Sequence, residues 1–346
     1  MCGISGIVNL NQSPIEEQHI RQMMLKMKHR GPDDEGIFLD NNMGFGFVRL
    51  SIIDLSTAGH QPMLSHDQRY VIVFNGEIFN YIELRDELKS YGHSFKTGTD
   101  TEVLITAYRQ WGEDCQHKFN GMWAFAIYDK VASTIFISRD RYGIKPFYYY
   151  QNDKIFAFAS EIPSLLRAIP QKAEANNQAI FDYLVFNRTD QNPETFFKNV
   201  YKLQHGCSLS ISLKSEVSVS EPKKWYNLKS EICKRKNNRL TTDEFKTLFD
   251  DAIKIRLRSD VPVGVCLSGG LDSSAIVSTL IKTFEKKDLQ TFSAVYEKGQ
   301  FGDETEFIKI YEQWLQNMFF TTPTKSTLIA DIQNFIRVHA EPIPST

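Results

Sequence analysis

The chain has 346 residues, 42% of them hydrophobic, which is enough for two domains with ordinary cores. A net charge of −2 leaves no electrostatic footprint for nucleic acid or an anionic membrane, and no apolar run reaches the roughly 18 residues of a membrane-spanning helix. The five cysteines (Cys2, Cys115, Cys207, Cys233, Cys266) are odd in number and form no CxxC pair. That argues against a disulfide framework or a zinc site and, with no charged-then-apolar leader, points to the cytoplasm.

The N-terminal half reads as strand-rich with two helices. Ile4, Ile7 and Val8 mark a first strand, followed by strands at 44–50 and 69–74. Helices are predicted at 81–88, with Ile82, Leu84 and Leu88 apolar, and at 101–111, with Val103, Leu104, Ala107, Tyr108 and Trp111 on one face. Short strands at 122–128, 134–138, 147–150 and 155–159 follow, and many short strands plus a helix pair predict an α+β domain of two packed sheets with helices outside. Short helices are expected at 162–169 and 178–186, and a hairpin at 206–219. Residues 223–238 are basic and polar, a solvated linker by composition.

A second unit begins at Thr241. Thr241 and Glu244 fit a capping box, and Phe245, Leu248, Phe249 and Ala252 face one side of a helix to about Arg258. The apolar run Val261–Leu267 reads as a buried parallel strand feeding the loop Ser268-Gly269-Gly270-Leu271-Asp272-Ser273-Ser274 and a helix to Phe284. A strand at 290–296 and a helix at 304–314 complete a parallel α/β beginning. The expected domains are 2–210 and 241–346, joined by a linker at 211–240.

Two stretches carry chemistry. If Met1 is removed, Cys2 holds a thiol nucleophile and, in its own α-amine, a base with a reference pKa of about 7.7–8.0. A cysteine that merely packs is the alternative reading. The loop at 268–274 is an anion site, because glycines admit close backbone approach and a helix N-terminus adds positive potential. It lacks the Gly-Lys-Ser/Thr of a Walker A loop. Its hydroxyls Ser268, Ser273 and Ser274 suit phosphate oxygens, and Asp272 makes sense beside a bridging Mg²⁺; an ordinary capped β-α turn is the alternative.

Ser268–Ser274 resembles the pyrophosphate loop of ATP-pyrophosphatases, and Met1-Cys2-Gly3-Ile4 the start of class II, N-terminal-nucleophile glutamine amidotransferases. Both together, in this order, resemble glutamine-hydrolysing asparagine synthetases. The likeness runs through His29–Asp33, Arg49–Asp54, Gly59–Met63, Phe74–Ile78, Gly98–Glu102 and Asp140–Pro146. It implies Cys2 as nucleophile and the Asn75 amide with the Gly76 N–H as oxyanion donors. Glutamine would be held by Arg49, Leu50, Ser51, Ile52, Ile53, Asn75, Gly76, Glu77 and Asp100, with Arg49 on its α-carboxylate and Asp100 on its α-ammonium. ATP would lie against Leu267, Ser268, Gly269, Gly270, Asp272, Ser273, Ser274 and Ala294, with Mg²⁺ at Asp272.

Read singly, Asn75-Gly76 is equally a hairpin turn, and Arg49 or Asp100 a surface charge. Gly31–Asp34 and Tyr142–Pro146 read as structural turns. The implied reaction is amidation of an ATP-activated aspartate by glutamine-derived ammonia, giving asparagine, AMP and pyrophosphate. Another carboxylate acceptor (a sugar acid or peptide), or a glutaminase or regulatory protein, is the alternative. No nucleic acid or membrane partner is expected, and a homodimer stays open. The family's later Ser-Gly-x-Gly-x-Asp-Glu loop has no counterpart before Thr346, so the synthetase half is expected to be truncated.

Overall fold

The structure, a computed structural model, describes residues 1–169, 172–234, 239–296 and 302–342. Positions 235–238 of the expected linker and the last residues, Ile343–Thr346, lie outside them. The chain divides into two units, Met1–Lys236 with Ile336–Thr346, and Asn237–Phe335.

The first unit is built on two antiparallel sheets. One has the order Val200–Lys202, Tyr148–Gln151, Ile155–Ala159, Gly3–Asn9, Met43–Arg49, Asp34–Asp40. The other runs Ser218–Val219, Cys207–Ser212, Thr134–Arg139, Gly121–Asp129, Tyr70–Ile78, Met63–Leu64. Ile4, Val8, Phe45 and Phe47 of the first pack on Val71, Val73, Ala126 and Ile137 of the second. The outer faces are apolar too, so each needs a helical cover. Helix Glu17–Lys26 lays Ile20, Met23 and Met24 over the first sheet, and helices Tyr81–Ser90 and Asp100–Trp111 lay Leu84, Leu88, Val103, Leu104 and Ala107 over the second. The expected α+β layering is what forms. Helix Glu17–Lys26 and strand Asp34–Asp40 were not anticipated; Ile20, Met23, Met24 and Met27 carry the helical spacing that announces the former.

The stretch read as linker is partly ordered. Ser218–Val219 and Lys223–Lys224 pair with Cys207–Ser212, and Leu228–Lys234 is a helix. Their polar composition reflects an exposed sheet edge, where charged side chains are tolerated.

The second unit holds a parallel sheet ordered Gly264–Cys266, Gln290–Ala294, Asn317–Thr321. Helix Thr242–Arg256 starts in the expected capping box and contributes Ile253 to a core with Leu267, Val277, Leu280 and Ile308. The apolar run at 261–267 gives a shorter strand than expected, and it is not buried on both faces: Gly264 and Cys266 are exposed. Phe292 and Phe319 stack on that same exposed side, ring centroids 5.2 Å apart. An apolar run encodes a capacity for burial but not the element that supplies the cover.

Candidate active site

The strand Gly3–Asn9 is clamped between Met43–Arg49 and Ile155–Ala159, which fixes the chain's start at the end of the first sheet. Cys2 leads into it. Its Sγ accepts from the Leu50 backbone nitrogen at 3.4 Å and lies 3.5 Å from the Leu50 carbonyl. Its carbonyl accepts from Arg30 Nε at 2.9 Å, and Arg30 is itself held by Glu161 at 2.8 Å. Burial pushes the Cys2 thiol up and the terminal amine down, so both neutral forms are favoured.

Facing Cys2 across a cavity of about 50 Å³ is the end of strand Tyr70–Ile78. Asn75 and Gly76 lie inside this strand, paired with Ala124 and Trp123, which overturns the hairpin-turn alternative. A Cβ at Gly76 would collide with the Met122 carbonyl, so the close strand pairing requires glycine there. Asn75 is 1% exposed and its Nδ2 has no hydrogen-bond partner among the described residues. A buried, unpaired amide N–H is costly, and Asn75 lines the cavity with Cys2.

The rest of the wall comes from two further elements. Helix Asp100–Trp111 is capped by the Thr99 hydroxyl, which accepts from Glu102 N, and Asp100 is its first residue. Asp100 is buried, and desolvation raises its carboxyl to about 7 against the hydrogen bond from Ile78 N. Desolvation also raises Glu77, opposed by the positive charge of Lys145. Arg49 is buried rather than a surface charge, and donates to the carbonyls of Ser56 at 2.7 Å and Asp54 at 2.5 Å. Cys2, Arg49, Leu50, Ile52, Ile53, Asn75, Gly76, Glu77 and Asp100 thus share one cavity. Ser51 does not line it; its N–H is turned to Asp33 Oδ2 at 2.7 Å, which shapes the loop. Among the described residues no histidine lines the cavity.

In the second unit, the loop after strand Gly264–Cys266 folds on its own hydroxyls. Ser268 Oγ and Ser273 Oγ are 3.0 Å apart, Gly270 N donates to Ser268 Oγ, and Ser274 Oγ donates to the Gly269 carbonyl. Gly269 has φ +91°, and a Cβ there would lie 2.7 Å from Glu304 Cβ. Helix Leu271–Lys282 starts directly behind, with Asp272 in its first turn. A cleft of about 500 Å³ at the strand ends is lined by Leu267, Ser268 and Ala294, with Tyr296 and Glu304. Gly269, Gly270, Asp272, Ser273 and Ser274 form the loop and helix start beside it and do not line it. Among the described residues no group of three or more His, Cys, Asp or Glu could hold a metal by itself. A single carboxylate still fits Mg²⁺, which commonly takes one or two protein carboxylates, with substrate phosphates as its other ligands.

Residues 1–226 match the model of the glutamine amidotransferase domain family, and residues 244–343 the asparagine synthase model. The chain belongs to the glutamine amidotransferase family. It is 42% identical over 335 residues to a protein of Methanocaldococcus jannaschii provisionally named asparagine synthetase (glutamine-hydrolysing) 2, covering 90% of this chain and 62% of that one. It is 39% identical over 307 residues to asparagine synthetase (glutamine-hydrolysing) 1 of Bacillus subtilis, covering 88% and 47%. The chain thus spans roughly half the length of the curated relatives it matches. A solved glutamine phosphoribosylpyrophosphate amidotransferase from B. subtilis aligns over 99% of this chain and 90% of that chain, at 14% identity and a TM-score of 0.48.

The geometry adds cavity residues that the sequence did not single out. Gln61 is buried and accepts from Phe74 N at 2.7 Å, holding the strand that bears Asn75. Gly59 packs so closely on Arg49 that a Cβ would overlap the guanidinium. Lys145, read as part of a structural turn, lines the cavity. Nothing in a turn's sequence says where its lysine points. Among the described residues no helix is long and apolar enough to cross a membrane.

Proposed function

We propose that this chain hydrolyses glutamine at Cys2 and that the ammonia serves glutamine-dependent asparagine synthesis. Asn75, whose Nδ2 has no partner among the described residues and which lines the cavity with Cys2, Arg49 and Asp100, carries the reading. After Met1 is removed, the Cys2 α-amine takes the thiol proton as Sγ bonds to the side-chain carbonyl carbon of glutamine. The Asn75 amide, with the Gly76 N–H, holds the resulting oxyanion. The C–N bond then breaks, the proton passes to the leaving nitrogen, ammonia departs, and water cleaves the thioester to glutamate. Arg49 holds the α-carboxylate and Asp100 the α-ammonium, with Glu77 beside it.

In the second unit, the 268–274 loop receives the phosphates of ATP, with Leu267 and Ala294 against the nucleotide. Mg²⁺, held by Asp272 and the phosphates, would neutralise charge on the pyrophosphate leaving group. The acceptor is aspartate, adenylated on its β-carboxylate and then amidated, with AMP released. The domains are read as 2–210 and 241–346 about a linker at 211–240.

The test is glutamate release from glutamine by chain whose Met1 loss is confirmed by mass. Cys2→Ala, or a peptide left ahead of Cys2, is expected to abolish it. Full hydrolysis with Met1 retained would overturn the mechanism. Asparagine and AMP formation with aspartate, glutamine and ATP tests the acceptor.

A further inference from the structure

The Lys145 side chain is buried, which lowers its ammonium pKa, and the charge that most opposes this is the Glu77 carboxylate. Lys145 is 6% exposed, it makes no ion pair among the described residues, and the contact recorded for its Nζ is the Met1 thioether sulfur at 3.4 Å. Such a charge is expensive to bury, and Glu77 offsets that cost without closing to an ion pair. The backbone fixes the Lys145 stem firmly. Asp140, itself fully buried, accepts from the N–H groups of Tyr142, Ile144 and Lys145 at 3.0 Å each, and the Lys145 carbonyl accepts from Arg139 Nε at 2.7 Å. Asp140 is thereby occupied by backbone donors, and the turn projects Lys145 into the cavity that holds Cys2.

The contact that now occupies Nζ belongs to the one residue that must leave for Cys2 to become N-terminal. We propose that the Lys145 ammonium is the charge that makes Cys2 a nucleophile: with Met1 gone, it faces Sγ and favours the thiolate. This deepens the glutaminase reading and rests on it. The other charged groups acting on the Cys2 thiol are the Met1 terminal amine and Asp100; Arg30 and Asp33 act on that amine, Glu77 on Lys145, and Arg49 also lines the cavity. Burial raises the thiol most and Asp100 adds to it, while the Leu50 N–H, the terminal amine and Lys145 oppose them.

The test is alkylation of Cys2 by iodoacetamide as a function of pH, read on the N-terminal peptide by mass spectrometry in Met1-processed full-length chain. Exposed Cys233 and Cys266 serve as internal references. Lys145→Met should raise the Cys2 inflection by about one pH unit, roughly a tenfold loss of reactivity at pH 7, and Lys145→Arg should restore it. The references should not move. Lys145→Gln replaces the Met variant if that one fails to fold, and Lys145→Arg remains a test by itself, since a shift of a full unit there would overturn the proposal. An unshifted inflection in Lys145→Met, or an equal loss at every pH, overturns it as well. Alkylation needs no turnover, so a shifted profile in a chain that hydrolyses no glutamine would sink the glutaminase reading alone. Hydrolysis with an unshifted profile would sink only the role of Lys145.

Discussion

Asp100 Oδ2 accepts a 2.9 Å hydrogen bond from the backbone nitrogen of Ile78, tying the first turn of helix Asp100–Trp111 to the end of the strand that bears Asn75. The bond fixes two walls of the cavity to each other. Asp100 is nonetheless buried, and desolvation raises its carboxyl from 3.8 to about 7 against that bond.

Glutamine affinity should therefore depend on pH. An ammonium pairs with the ionised carboxylate, so binding to the Cys2→Ala variant should tighten as pH rises towards about 7 and then level off. For the unliganded fold the sign is opposite. The folded value lies above the unfolded one, so this group's stabilisation is complete below about 3.8 and lost as pH passes about 7. Asp100→Asn should weaken binding and flatten its pH profile in calorimetric titrations; a slope that survives the substitution assigns the titration elsewhere.

Asn75→Ala should lower kcat for glutamine hydrolysis by about 10²–10³. Its amide Nδ2 makes no hydrogen bond among the described residues, so thermal stability should change little. A large loss of melting temperature with intact kcat would make Asn75 a structural residue.

Arg49→Ala should weaken glutamine binding by about 2–5 kcal/mol, the range for truncating a buried charge partner. Because Arg49 also bonds the Asp54 and Ser56 carbonyls, Gly59→Ala, which must displace the guanidinium, should raise KM without touching substrate directly. A KM changed less than about threefold in both variants would place the α-carboxylate elsewhere.

Gly269→Ala should destabilise the second unit by roughly 1–3 kcal/mol in denaturant titrations, since the left-handed backbone and the contact with Glu304 both oppose a side chain. Pyrophosphate binding should fall with it. Unchanged binding would remove the loop from the phosphate site.

Local sequence was enough to place Cys2 ahead of a strand, the 268–274 loop ahead of a helix, and the capping box at Thr241, because each depends on neighbours in the chain. The layered α+β domain was legible for the same reason: periodicity is a local signal. What surrounds a side chain is not. Asn75-Gly76 reads as a turn by composition and becomes mid-strand only through pairing with Ala124 and Trp123, some fifty residues away. Gln61 and Lys145 enter the cavity through long-range packing, and the exposed side of Cys266, Phe292 and Phe319 reflects where cover is missing among the described residues. Sequence alone determined the reactive groups and the elements that carry them. Tertiary structure decided which of those groups share one dry cavity, because burial and unpaired donors are properties of the assembled walls and not of any one stretch of chain.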